Sequence, residues 1–365
     1  MAHEANNRTS KIRTGQRVNL FINGRFTTQP LSGVQRFAIE TTKALQVRDP
    51  RYVLCTPPGG SSVWPEAREV GTRHWQGWEQ LDLPRVATNG FLVNLGNTGP
   101  ILARRQLVVI HDTGVFSTPE AYSRRFRAWY KFLQSVLVRR GVLIITVSEF
   151  SRQEILRHLP ARAQQVRVMP EGVDHIAGVT ADPEIISRYG LEPGRFVLSV
   201  GTPAVHKNLS ALQLLAQWLQ ERGTPLVMVG GIGGAAFQAA GSPQPACYLG
   251  RVSDAQLKAL YENAACFVFP SRYEGFGLPP LEAMACGCPV VAADISVLRE
   301  ICGEAVQFCD PSSPEDIAMK ILTVLDSPMK QQELREAGKL QASGFTWARS
   351  ATMLDGFVKE FLEKA

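Results

Sequence analysis

Two glutamates, Glu274 and Glu282, stand eight positions apart, joined by Gly275-Phe276-Gly277-Leu278 and the pair Pro279-Pro280. Carboxylates accept hydrogen bonds from hydroxyls. Backbone N–H groups gathered at a glycine-rich turn before a helix attract anions. The preceding run Cys266-Phe267-Val268-Phe269 has the composition of a buried strand, and Pro270 ends it. Prolines fit the first turn of a helix, where a missing N–H costs little. The spacing predicts a helix over Leu281–Cys286 that stops at Gly287, with Pro289 beyond. Two hydroxyl acceptors flanking an anion site imply a pocket for a sugar joined to a diphosphate.

Other side chains of suitable type fall in predicted loops. Lys207 follows the strand and loop Val200-Gly201-Thr202-Pro203-Ala204-Val205-His206, where a point charge can reach two phosphates. The plainer alternative is a solvated loop lysine. Leu107-Val108-Val109-Ile110 ends in His111-Asp112, so a buried strand points two polar groups into a cleft. The alternative there is a histidine that caps the strand through structural hydrogen bonds. Pro30-Leu31-Ser32-Gly33 is a turn entering a helix that carries Arg36, and Gly33 lets the backbone approach a ligand. Asn94-Leu95-Gly96-Asn97-Thr98-Gly99-Pro100 follows another strand and forms a candidate acceptor-side loop with Asn97 in it.

Short apolar runs alternate with helical patterns along the chain, the mark of parallel α/β layers. In the first half, strands are expected at Val18–Ile22, Tyr52–Thr56, Gly90–Asn94, Leu107–His111, Leu143–Val147 and Val166–Met169, with helices at Gly33–Gln46, Arg124–Arg140 and Ser151–His158. In the second, strands are expected at Phe196–Val200, Pro225–Val229, Ala246–Tyr248, Cys266–Phe269, Pro289–Ala292 and Ala305–Phe308. The remaining helices are Leu209–Glu221, Ser253–Asn263, Pro314–Leu325, Met329–Ala342 and Ala348–Leu362. Two doubly wound, Rossmann-like domains facing a cleft follow, with ligands at the carboxyl ends of the strands.

The segment from Ser271 to Glu282 resembles the E-x7-E signature of retaining glycosyltransferase family 4, whose members have the GT-B fold. Val200-Gly201-Thr202 with Lys207-Asn208 is similar to the family's strand and loop, Leu249-Gly250-Arg251-Val252-Ser253 to its L-G-x-V segment, and Thr146-Val147-Ser148-Glu149-Phe150-Ser151 to its TVSEFS. The resemblance covers about Val18 to Phe361. It implies roles. Glu282 would accept hydrogen bonds from the nucleotide ribose, and Glu274 would lie by the donor sugar. Gly275, Phe276, Gly277 and Leu278 would meet the sugar and distal phosphate, while Gly201, Thr202 and Lys207 hold the diphosphate. Arg251 and Val252 would border the base. His111 would sit near the donor sugar, and Asp112, Arg36 and Asn97 would face the acceptor. Many relatives carry arginine where this chain has Thr202 or His206, so more of the neutralisation would fall on Lys207, the helix start and an arginine elsewhere. The resemblance also implies attack on the same face as the leaving group, through an oxocarbenium-like state, with the leaving phosphate taking the acceptor proton. It further implies an N-terminal acceptor domain over 17–178, a donor domain over 179–346 and a last helix, 347–365, packing back on the first domain. Residues 1–16 are polar and read as a disordered tail.

Bulk properties narrow the setting. The 365 residues suffice for two domains, and no apolar run approaches the ~20 residues of a membrane span. Seven cysteines are scattered, and Cys286-Gly287-Cys288 is too tight for the usual zinc pair, so a reducing compartment fits. Residues 1–175 carry a net charge of about +11 and the remainder about −5. Arginines alternate with Phe126, Trp129 and Tyr130 in the predicted helix Arg124–Arg140. Either this is a core helix with solvated arginines, or it rests on anionic lipid or holds a lipid diphosphate. No nucleic-acid motif accompanies the charge.

The function expected is transfer of a sugar, first choice mannose from GDP-mannose, to a lipid-diphosphate-linked oligosaccharide at the inner face of the cytoplasmic membrane. No obligatory metal or other cofactor is expected. A transferase using another nucleotide sugar or a soluble acceptor stays open, as does a nucleotide-sugar-binding scaffold without catalysis. Oligomeric state is not legible.

Overall fold

The computed structural model describes residues 18–230 and 241–364. The sequence-predicted tail at 1–16 lies outside them. Among the described residues thirteen strands form two sheets, with every strand pair parallel. The first sheet contains β1 (Asn19–Asn23), β2 (Tyr52–Thr56), β3 (Arg68–Glu69), β4 (Gly90–Asn94), β5 (Gln106–Val109), β6 (Leu143–Thr146) and β7 (Val166–Val168), in the order β3-β2-β1-β4-β5-β6-β7. The second contains β8 (Val197–Val200), β9 (Leu226–Val229), β10 (Cys247–Gly250), β11 (Cys266–Phe269), β12 (Val290–Ala293) and β13 (Gln307–Cys309), in the order β10-β9-β8-β11-β12-β13. Both are doubly wound. Strand order reverses between β1 and β4 in one sheet and between β8 and β11 in the other, so a crevice opens at those carboxyl ends.

The strands form because continuous apolar runs can be buried on both faces. In the second sheet Val197, Cys266, Val268 and Val291 face Leu215, Leu219, Ile317 and Ile321 of helices α4 (Gln213–Glu221) and α8 (Pro314–Leu325). Leu198, Phe267, Phe269 and Val290, at the alternate positions, face Leu260, Leu281 and Met284 of α5 (Asp254–Asn263) and α6 (Leu278–Ala285). The first sheet alternates likewise. Leu20 and Ile22 pack with Phe37 and Leu45 of α1 (Gly33–Arg48), whereas Phe21 packs with the fully buried Trp78. Leu133 and Leu137 of α2 (Arg124–Arg139) pack with Val108 and Ile144, and α3 (Glu149–His158) adds Ile155.

After α7 (Ser296–Cys302), α8 and α9 (Pro328–Ser343), the chain turns back through α10 (Trp347–Lys364). Leu354 and Val358 of α10 join the core of the first sheet, and Phe361 packs on Phe91 at 5.2 Å. Buried Asp355 anchors it, accepting from Tyr52 Oη (3.1 Å), Arg48 Nε (2.9 Å) and Lys359 Nζ (2.7 Å).

Several expected boundaries shift. The helix expected from Leu281 begins at Leu278, because Gly277 at φ +105° serves as its N-cap. The expected strand through His111 ends at Val109, and the helix expected from Leu209 opens with a 3-10 turn before Gln213. The edge strand β3 and the helical turns around Trp78 were not anticipated. Both lack an apolar period, and Trp78 is fixed instead by donating its indole N–H to Val70 O at 2.7 Å.

Candidate active site

Both reversal points carry the residues singled out in the sequence. After β8, Gly201 donates to Val229 O at 2.9 Å, and among the described residues a side chain built on it would meet nothing within 4 Å. Half-buried Thr202 follows and accepts from Ala204 N at 2.8 Å. The loop then makes a 3-10 turn, Val205–Lys207, and is pinned by Asn208. That residue is left-handed (φ +57°) and donates its amide to Pro270 O (3.1 Å) and Pro311 O (2.8 Å). The pin sets Lys207 beside the loop after β11. Lys207 Nζ donates to both oxygens of Glu274, at 2.7 and 3.0 Å, with side-chain exposures of 20% and 12%. Two residues 67 apart in sequence therefore meet at the reversal point of the second sheet.

The turn from Gly275 to Leu278 is shaped by contact with the first domain. A Cβ at Gly275 would lie 2.4 Å from His111 O, so only glycine permits the approach. Gly275 O accepts from Ser148 Oγ (2.6 Å) and Ser151 Oγ (2.9 Å) at the start of α3. Phe276 is buried, edge-on to Phe345 at 5.9 Å. Helix α6 differs from an ordinary helix start. Four N–H groups normally lack intrahelical partners there, but Pro279 and Pro280 have none to offer. The donors left for an anion are those of Phe276, Gly277 and Leu278.

One turn into α6, Glu282 is buried. Its Oε1 pairs with His175 Nε2 at 3.0 Å and its Oε2 accepts from Tyr261 Oη at 3.2 Å. Each carboxylate oxygen has two acceptor directions, so capacity remains for a diol. Burial, then the Glu282 charge, pushes the Tyr261 phenol well above its usual value, so it stays a donor. Arg251, exposed, and Val252, half-buried, follow β10 after Gly250, whose φ is +67°.

On the first domain His111 departs from expectation. Only 5% exposed, its imidazole is bonded inward, Nε2 to Leu95 O at 2.9 Å and Nδ1 near Glu171 Oε1 at 3.4 Å. The side chain expected to point into the cleft is thus held by structural hydrogen bonds. Asp112 is half-buried beside it, and its Oδ1 accepts from Gly114 N at 2.7 Å. Asn97, left-handed at φ +63°, shapes the strand end by accepting from His111 N at 2.7 Å. Gly33 is exposed at the first position of α1. Arg36 forms an ion pair with Asp254 of the second domain. It is a bridge between domains in this arrangement.

Three residues join the two domains across the cleft in ways that their local sequence does not disclose. Tyr273 Oη accepts from Thr113 N at 3.2 Å. Glu300 on α7 accepts from Glu149 N (2.7 Å) and Phe150 N (2.9 Å), a carboxylate from one domain capping α3 of the other. His206, in a place where relatives carry arginine, stacks on Tyr122 at 6.3 Å and 12°. Burial, followed by the Lys207 charge, lowers its pKa, so it adds no second cation near neutrality. His175 and Tyr261 were also missed, since nothing local marks them as partners of Glu282.

This geometry can be set beside known proteins. Residues 90–176 match the family model "Glycosyltransferase Family 4", and residues 182–341 match "Glycosyl transferases group 1". The O-antigen chain mannosyltransferase B of Escherichia coli is 34% identical over 267 residues, 69% of this chain and 70% of that protein. The serotype-specific mannosyltransferase WbdA of Escherichia coli is 28% identical over 70% of this chain, which spans only 33% of WbdA. Among solved structures, Anabaena Alr3699/HepE in complex with UDP and glucose superimposes with a TM-score of 0.73 at 17% identity, covering 94% of this chain and all of that one. Two reversal-point loops that bring Lys207, Glu274 and a glycine-rich helix start together are what such a fold would use to hold an activated sugar. The group 1 model spans the half that carries them and the family 4 model falls on the other half: the chain belongs to the group 1, family 4 glycosyltransferases of the GT-B fold.

Proposed function

We propose that this glycosyltransferase moves a mannosyl group from GDP-mannose, with retention and without an obligatory metal, onto a lipid-diphosphate-linked oligosaccharide in bacterial surface polysaccharide synthesis. The observation that carries the reading is the Lys207–Glu274 pair at the mouth of the Gly275–Leu278 turn. Lys207 neutralises the leaving diphosphate, helped by the N–H groups of Phe276, Gly277 and Leu278. Glu274 turns to the sugar hydroxyls once phosphate takes over the lysine. Glu282 receives the ribose, and Arg251 and Val252 border the base. Asp112 and Asn97 lie on the acceptor side. The mannose assignment is supported by the names of the two relatives described above, both mannosyltransferases.

The site of action proposed is the cytoplasmic face of the inner membrane, in peripheral contact. No helix among the described residues is long and apolar enough to cross a membrane. Supporting a surface contact, α2 exposes Arg124, Arg125 and Arg139, together with Phe132 at 55%. Leu133 of α2 is buried while Phe126, Trp129 and Tyr130 are half-buried, so the helix also serves the core.

Nucleotide release tests the reading, using GDP-mannose and a panel of UDP-, dTDP- and other GDP-sugars, with and without an extract of lipid-linked oligosaccharide and with chelator present. Release from GDP-mannose that needs the extract is expected. Release from a different donor would overturn the mannose assignment, and release with a soluble sugar alone would overturn the lipid-linked acceptor.

A further inference from the structure

Glu282 is held more elaborately than a ribose contact alone requires. Its Oε1 meets His175 Nε2 at 3.0 Å, and the other ring nitrogen of His175, Nδ1, accepts from Trp347 Nε1 at 3.2 Å. An indole N–H can only donate. The proton of His175 is therefore on Nε2, aimed at the carboxylate, and the bond to Trp347 fixes both tautomer and ring orientation. Tyr261 Oη donates to the second oxygen at 3.2 Å. Side-chain exposure is 4% for His175 and 9% for Glu282, so water does not compete strongly for these bonds.

His175 and Trp347 also sit where the chain passes between domains. His175 lies between β7 and β8, and Trp347 begins α10, which returns to the first sheet. The two crossings are tied together. Trp347 N donates to Asp174 Oδ1 at 2.8 Å, Val173 N donates to Phe345 O at 3.0 Å, and a Cβ on Gly172 would lie 2.3 Å from Trp347 N. Trp347 in turn packs edge-on to Phe37 (5.9 Å), which packs edge-on to His111 (4.5 Å).

We propose that His175 is the positioning residue for the nucleotide ribose: locked by Trp347, it presets the Glu282 carboxylate so that a vicinal diol meets an acceptor already oriented. This rests on the assignment of Glu282 to the ribose. It adds what makes that carboxylate selective for ribose hydroxyls, and it places the control on the two crossings. A preset acceptor loses less freedom on binding and so binds tighter.

The test uses the full chain, calorimetric titration with GDP and 2′,3′-dideoxy-GDP, and the variants His175→Phe, His175→Asn and His175→Gln. Wild type should prefer GDP by about tenfold or more, the scale of hydrogen bonds to a charged group. His175→Phe should weaken GDP by about tenfold while leaving dideoxy-GDP unchanged. His175→Asn keeps an acceptor for Trp347 but cannot reach Glu282, so it should show the same loss even if the phenylalanine variant folds poorly. His175→Gln, whose amide N–H falls near the Nε2 position, should restore GDP to within about threefold. In turnover the donor KM should rise with kcat nearly unchanged. An equal loss for both nucleotides would mark a structural role and overturn the proposal, as would no loss for either. Wild type binding the two forms equally would remove Glu282 from the ribose and the inference with it. No binding of GDP or UDP by folded wild type would instead sink the donor-site reading itself.

Discussion

The two glutamates of the motif are held in opposite ways. Glu274 is matched to one cation, Lys207, near the cleft surface, and a diphosphate can take that cation over. Glu282 is buried and bonded to two groups that carry no charge in the arrangement seen, the His175 N–H and the Tyr261 hydroxyl. An exchangeable ion pair suits a group that must change partners as charge develops. A fixed neutral cradle suits one that binds the same diol in ground and transition states. The first kind acts on kcat and the second on binding.

Several changes would break or sharpen that contrast. The largest effect is expected from Lys207→Ala, which removes the cation proposed to meet the leaving group. Transfer should fall by about 10²–10³-fold in kcat/KM, the range seen when one transition-state partner is deleted; a fall below tenfold would place the leaving group elsewhere. Glu282→Gln should raise the donor KM about tenfold with kcat within about threefold, which steady-state kinetics would separate.

Asp355→Asn reaches the fixed side through α10, which carries Trp347. Burial alone would raise the Asp355 carboxyl, but Lys359, Arg48 and Tyr52 outweigh it and hold its pKa below the ordinary value. Its stabilisation is therefore present above that ordinary value and is lost as pH falls through the depressed one. The variant should unfold more easily by about 1–3 kcal/mol at pH 7 in urea titration, and the gap from wild type should close in strong acid. The smallest effect is expected from Glu300→Gln, which weakens the cap on α3 by about 1 kcal/mol. Small-angle scattering without nucleotide should show a larger radius of gyration, with core stability unchanged.

Much of the fold was legible because its signals are local. The strand Cys266–Phe269 is an apolar run bounded by Pro270, and the helix Pro314–Leu325 begins with a proline in its first turn; both appear where expected. The glycine-rich turn was legible for the same reason, since a turn leading into a helix is written in consecutive residues. Partnerships across the chain were not. His175 and Glu282 are 107 residues apart, and a lone histidine in a loop gives no hint of its acceptor. The direction of His111 was likewise undetermined, because a polar residue at a strand end can turn into the cleft or back onto Leu95 O. Thr202 and His206 showed that an expected arginine was missing, but not that His206 would stack half-buried on Tyr122 without adding charge.

The central claim is that the Lys207–Glu274 pair is catalytic machinery and not a surface ion pair. Glu274→Ala tests it most directly, assayed in parallel for sugar transfer from GDP-mannose to lipid-linked oligosaccharide and for GDP affinity. Transfer should fall by about 100-fold or more, while GDP, released to an unpaired Lys207, binds as well as before or better. Transfer at the wild-type rate would contradict the assignment and leave the pair a structural clasp between two loops.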